Sequence, residues 1–237
     1  LVLAAEADRA LRALAAKHRL TLNSFVQAAW ALTLRHHGGG ADLVFGVTVA
    51  GRPPELPELQ GTLGLFIATI PLRLQVPCGA DATLVADWLA GLQAQNLVMR
   101  EHEHLPLVEI QALSALPAGA ALFDSLFVFE NAPIDVAMLE EAQALKAEVT
   151  QTRTHTNYPI TAVAYPHGRL GLHLSCDGRF FEPATVERLL ATIEARARVV
   201  RPARPARPAL RLRATWEVRR HYRPRPDKKA SRLESVG

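Results

Sequence analysis

The chain has 237 residues, 49% hydrophobic and 21% charged, enough apolar content for a globular core. No apolar run approaches the roughly 20 residues of a membrane span, and Leu1-Val2-Leu3-Ala4-Ala5-Glu6 lacks the basic-then-apolar order of a secretory signal. The net charge of +4 is unevenly divided. Residues 1–200 carry 15 Lys/Arg against 20 Asp/Glu, whereas residues 201–237 carry 12 against 3, so an acidic body argues against a specific nucleic-acid-binding domain and the basic character belongs to the tail.

The spacing of Leu3, Leu11 and Leu14 predicts an amphipathic helix over residues 3–19. Thr21-Leu22-Asn23-Ser24 offers an N-cap to a second helix reaching about His37, apolar enough for burial on more than one side, with Gly38-Gly39-Gly40 to end it. Residues 43–49 read as an interior strand and 50–62 as a loop. Residues 65–74 read as a second strand, in which Pro71 demands an edge or a bulge. Helices follow over 83–100 and 106–113. Strands are expected at 122–130, 143–150, 159–165 and 169–176, the last two joined by Pro166-His167-Gly168, and a final helix from Glu182-Pro183 to about Val199. This order predicts an α/β fold with a mixed sheet and flanking helices. The repeated Arg-Pro-Ala units from Arg201 onward cannot bury a core, so residues 201–237 are expected to be a disordered tail.

Complete catalytic constellations are missing. His36-His37-Gly38-Gly39-Gly40-Ala41-Asp42 has the flavour of an HHxxxDG motif, but the Asp falls one residue late, and a polar helix end with a glycine stop accounts for it. His102 and His104, two residues apart, do not share a helix face, and further ligands at metal-site spacing are lacking, so no metal is expected. His155, His167 and His173 are scattered among strands and turns. Ser125 lies in a strand pattern without a local base, and neither GxSxG nor a phosphate-binding glycine loop occurs. Cys78 and Cys176 read as two reduced thiols of a cytoplasmic protein.

Four ordered stretches carry a resemblance: Thr21 to Leu32 continuing through Asp42-Leu43-Val44-Phe45-Gly46 to Gly51-Arg52-Pro53; Leu63-Gly64-Leu65-Phe66-Ile67-Ala68-Thr69-Ile70-Pro71-Leu72-Arg73; His102-Glu103-His104-Leu105-Pro106-Leu107; and Leu122-Phe123-Asp124-Ser125 to Asn131. Together they resemble the second half of nonribosomal peptide synthetase condensation domains, whose GxFxNTxPxR and PLFDxxFxxxN segments the second and fourth stretches follow. The resemblance implies one chloramphenicol-acetyltransferase-like (CoA-dependent acyltransferase-like) half over residues 1–200. The chain also lacks a starting Met, and is expected to begin mid-protein, after the catalytic His of the first half. Catalysis alone is therefore not expected, and no catalytic residue is assigned.

What the resemblance assigns to this chain is a wall of the substrate channel. Gly64 and Phe66 shape its backbone. Thr69 and Arg73 offer a hydroxyl and a guanidinium to a pantetheine amide or phosphate, and Asp124 and Asn131 complete the set, Asp124 holding a loop or cross-strand partner. Ala68 replaces the family's Asn, which puts donor handling in question. No cofactor is bound directly. Substrates arrive on the phosphopantetheine arms of peptidyl or aminoacyl carrier proteins, with a first condensation half or an adenylation domain as further partners and no membrane. Carrier docking without turnover is the alternative. The resemblance stops near Val200, and the expectation for the tail is a frameshifted or truncated gene.

Overall fold

The computed structural model describes residues 1–38, 40–52, 56–77, 82–117, 120–131 and 156–199. Helix α1 (Ala5–His18) closes on Arg19 in the left-handed region at φ 56°. Helix α2 (Leu22–His36) opens on Thr21, whose hydroxyl accepts the Ser24 backbone N–H at 3.2 Å. Every α2 residue from Ser24 to Ala31 is buried, as its apolar sequence predicts. Strand β1 (Asp42–Val49) leads through a short 3-10 turn (Pro57–Gly61) to strand β2 (Ala68–Gln75). Helices α3 (Ala82–Arg100) and α4 (Leu107–Ala112) follow, then strands β3 (Ser125–Phe129), β4 (Ile160–Tyr165) and β5 (Gly171–Cys176) and helix α5 (Pro183–Val199). No helix of the described residues is long and apolar enough to cross a membrane.

The five strands form one mixed sheet in the order β2-β1-β3-β4-β5. β1 runs antiparallel to β2 and parallel to β3. β3 is parallel to β4, and β4 and β5 form the expected hairpin, with Gly168 at φ +65° in its turn. β1 is interior, as its apolar run predicts. β2 is an edge strand, which resolves the Pro71 problem, since an edge strand has one side free of the hydrogen-bond ladder.

One face of the sheet makes the core. Phe45, Val47, Ile70, Leu72, Leu74, Phe127, Ile160, Ala162, Leu172 and Leu174 join Leu11 of α1, Trp30 of α2, Leu89 and Leu92 of α3 and Leu189 and Ile193 of α5 in one cluster. Phe45 and Phe127 meet edge to face at 6.5 Å between centroids. Helix α1 is tied to the β4–β5 turn by polar contacts. Buried Asp8 accepts from Arg12 Nε at 2.9 Å and from the Leu170 N–H at 3.0 Å, while Arg12 Nη2 donates to the Pro166 and Gly168 carbonyls at 2.8 and 3.0 Å. Burial pushes the Asp8 carboxyl up, and these donors outweigh it to hold the group below the usual aspartate range.

Two strands start three residues later than the sequence expectation. β2 begins at Ala68 rather than Leu65, because Leu65, Phe66 and Ile67 lie beyond the end of β1 and have no strand to pair with; Val49 and Ala68 are the last partners. β3 begins at Ser125 rather than Leu122, because the Phe123 ring turns down over β1 instead of continuing the pleat. The strand expected at 143–150 and the tail 201–237 lie outside the described residues.

Candidate functional site

Alternation along the strands puts Val44, Gly46 and Thr48 of β1 on the face opposite the core, beside Arg73, Pro71 and Thr69 of β2 in register. This second face mixes polar and apolar side chains. Gly46 is required there: a Cβ would overlap the Phe123 ring and crowd the Thr69 methyl. Phe123 lies in the space so freed and stacks on Tyr158 at 5.3 Å between centroids and 27° between planes. Burial pushes the Tyr158 hydroxyl pKa up. The Thr156 and Thr161 hydroxyls are hydrogen-bonded to each other at 2.5 Å.

The carboxyl end of β1 holds the loop that leads into β2. Gly51 sits at φ +62°, and a Cβ on it would overlap the carbonyl oxygen of Phe66, so the two backbones cross at closer range than any other residue allows. Next to it, Arg52 donates to the carbonyls of Leu59 and Thr62, the latter at 2.8 Å, and its guanidinium lies 4.3 Å above the Phe66 ring centroid. The same ring folds back to within 3.1 Å of the position a Gly64 Cβ would take. Four residues of the resembling stretches therefore make one clamp: Gly51, Arg52, Gly64 and Phe66.

The residues singled out from the sequence divide between two ends of the sheet. Gly64, Phe66 and Thr69 gather at the carboxyl end of β1, and Thr69 faces Thr48 across the ladder. Asn131 leaves the carboxyl end of β3, which runs parallel to β1, and its N–H donates to the Phe129 carbonyl at 3.0 Å. Open α/β sheets bind ligands outside the carboxyl ends of their parallel strands. Arg73 and Asp124 lie at the other end, Arg73 late in β2 and exposed Asp124 just ahead of β3.

Arg73 is engaged in a forked pair with Asp42. Nη2 reaches Oδ2 at 2.6 Å and Nε reaches Oδ1 at 2.9 Å. The Arg73 hydrogen bond holds the Asp42 carboxyl below the ordinary aspartate range, and Asp42 raises Arg73 in return. A depressed carboxyl keeps its ion pair at neutral pH and loses it only as pH falls through the lowered value. Carboxyl NMR of Asp42 should therefore give a midpoint below that of a free aspartate, moving back up in Arg73→Ala. An unchanged midpoint in that variant would mean the pair does not persist in solution.

Sequence reading missed the role of Gly46, Gly51, Arg52, Phe123 and Tyr158. Gly46 inside a strand signals a close approach on its own, and Gly51-Arg52 stood among the quoted residues without a task. His37 Nε2 meets the Thr192 hydroxyl at 3.0 Å and His36 Nδ1 meets Arg196 at 3.3 Å. His102 and His104 have tilted rings 6.5 Å apart. Among the described residues no group of three His, Cys, Asp or Glu could hold a metal ion. Burial pushes the Cys176 thiol up to about 12, which keeps it protonated and inert.

The mixed sheet with helices packed on its core face is an α/β architecture. The condensation-domain family model matches residues 1–196, and the chain belongs to that family. A linear gramicidin synthase of Brevibacillus parabrevis is 40% identical over 188 residues, which cover 79% of this chain and 2% of that protein. Among solved structures, a four-domain nonribosomal peptide synthetase bound to AMP and glycine superposes with a TM-score of 0.68 at 18% identity, over 86% of this chain and 17% of that one. The first condensation domain of the CDA synthetase gives 0.62 at 18% identity, over 84% of this chain and 44% of that one. The chain thus spans a few per cent of its synthetase relatives and under half of the CDA synthetase structure.

Proposed function

We propose that residues 1–200 are the C-terminal subdomain of a condensation domain, one wall of a channel in which an acceptor amine attacks a donor thioester. Both substrates arrive on phosphopantetheine arms of carrier proteins. In that reaction the C–N bond forms, the C–S bond breaks, and the amine proton ends on the departing thiol. The observation that carries the reading is the clamped Gly51-Arg52/Gly64–Phe66 loop beside Thr69 at the carboxyl end of β1. It joins two of the four family segments in space, as a shared wall requires.

In this reading Gly64 and Phe66 set the backbone of the wall and the Thr69 hydroxyl meets a pantetheine amide. Asn131 borders the same end. Arg73 and Asp124 serve the opposite end, where Arg73 reaches a phosphate only by giving up Asp42. Ala68, at the first position of β2, presents a methyl where the family has an amide, so donor orientation rests on other groups. The base belongs to the remaining portion of the domain, and no cofactor is bound directly.

The test uses purified chain with acyl-loaded donor and acceptor carrier proteins, read by intact-protein mass spectrometry. No dipeptidyl product is expected from the chain alone, and product is expected when the complementary portion of a related condensation domain is added. Product from the chain alone would overturn the half-domain reading. A stable ternary mixture without product would favour the non-catalytic carrier-docking module instead.

A further inference from the structure

The Thr69 methyl has a seat in the fold, and its hydroxyl does not. A Cβ on Gly46 would lie 3.0 Å from the Thr69 methyl, 2.8 Å from Phe123 Cζ and nearer still to Phe123 Cε2. Methyl and ring therefore share the notch that the glycine leaves in β1. Thr69 reaches the notch from β2, two residues along from Pro71, which pairs with Gly46. Phe123 reaches it from just ahead of β3 and is buried. Tyr158, just ahead of β4, stacks on the ring and steadies it. A threonine is stiff at χ1 and sits in one of a few staggered wells, so placing its methyl also places its hydroxyl. With the methyl in the notch, the hydroxyl is turned out of it. Among the described residues no group hydrogen-bonds that hydroxyl. A hydroxyl can both donate and accept, and fixing it before binding cuts the ordering cost.

We infer that Phe123, seated over Gly46 and backed by Tyr158, is a positioning residue that sets the Thr69 rotamer and so presents the Thr69 hydroxyl to a pantetheine amide. This rests on the assignment of Thr69 proposed above. Phe123 acts from the methyl side of Thr69 and does not touch the pantetheine. The arrangement gives a task to a glycine in an interior strand, where it otherwise weakens the ladder. Gly46, Thr69 and Phe123 come from three of the four resembling stretches, and the notch is where they meet.

The test is NMR of this chain titrated with pantetheine. Three-bond couplings to Thr69 Cγ2 report χ1, and the Thr69 backbone amide reports binding. In the wild type the couplings should show one rotamer, and pantetheine should shift the amide saturably. Phe123→Leu should average the couplings over rotamers and raise Kd by about fivefold, as loss of one hydrogen bond does. Gly46→Ala, which drives ring and methyl apart, should do the same. Thr69→Ser keeps the hydroxyl without the methyl and should weaken binding equally, and adding Phe123→Leu to it should cost nothing more. Thr69→Val keeps the methyl and its rotamer but should weaken binding at least as much. A further loss from Phe123→Leu in the Thr69→Ser background, or Thr69 couplings that ignore Phe123, would overturn the positioning role and leave pantetheine at Thr69. Wild-type affinity in Thr69→Val, or no amide shift in the wild type, would overturn the assignment of Thr69 and the inference with it, whatever the couplings show.

Discussion

Trp30→Ala should remove about 3–5 kcal/mol of folding stability, measured as a fall in the denaturant midpoint at unchanged slope. A domain of this size has on the order of 5–15 kcal/mol in total, so the loss takes a large share of it. The magnitude follows from position. Trp30 is 1% exposed at the centre of α2, where neighbours are buried on every side, and it belongs to the cluster joining α2 to the sheet and to α3. A cavity there has no mobile surface to collapse into. Trp30→Phe should cost distinctly less, for a reason beyond size. The Trp30 Nε1–H is buried without a partner, as are Gln27 Nε2 and Asn23 Oδ1 along the same helix. Gln27 is satisfied only at Oε1, which accepts from Asn96 Nδ2 at 2.7 Å. An orphan donor in a low-dielectric interior carries a desolvation penalty, and phenylalanine removes it. A loss in Trp30→Phe as large as that in Trp30→Ala would count against both the cavity and the desolvation arguments.

Much of the fold was legible because its signals are local. The Thr21 cap, the Pro166-His167-Gly168 turn and the apolar run of β1 each state their structure within a few residues, and each stands in the sheet or helix expected. Pro71 reported an edge strand for the same reason. What was not legible depends on partners far apart in sequence. Leu65, Phe66 and Ile67 have strand-forming side chains, yet β1 ends at Val49 and leaves them nothing to pair with. Phe123 reads as one more strand residue until Gly46, 77 positions earlier, is seen to lack the Cβ that would exclude its ring. The same limit applies at the site. The GxFxNTxPxR resemblance grouped Gly64, Phe66, Thr69 and Arg73 along one stretch, but the length of β2 carries Arg73 to its far end, where it pairs with Asp42. Arg52, which holds the stretch in place, has a side-chain role visible only once the loop has folded back over it.

Gly51→Ala should cost more than its conformational penalty alone, and Gly168→Ala supplies the reference. Both glycines have nearly the same left-handed backbone, φ +62° and +65°. An alanine at either position pays about 1–2 kcal/mol for that conformation. Gly168 has open space where a Cβ would go, whereas at Gly51 the Cβ would overlap the Phe66 carbonyl, a backbone atom that cannot rotate away. The excess of Gly51→Ala over Gly168→Ala in denaturant titrations therefore isolates the close approach of the two strands of the clamp. The excess need not appear wholly as lost stability. If Phe66 moves instead, Arg52 loses its ring contact and its grip on Thr62, and residues 56–67 become open to protease at neutral pH while the sheet stays folded. Either a larger stability loss or faster cleavage confined to that loop is the expected result. Identical behaviour of the two variants in both measurements would mean the Gly51–Phe66 crossing is looser in solution, and that the loop leading into β2 is not held at Gly51 but must be ordered by whatever binds it.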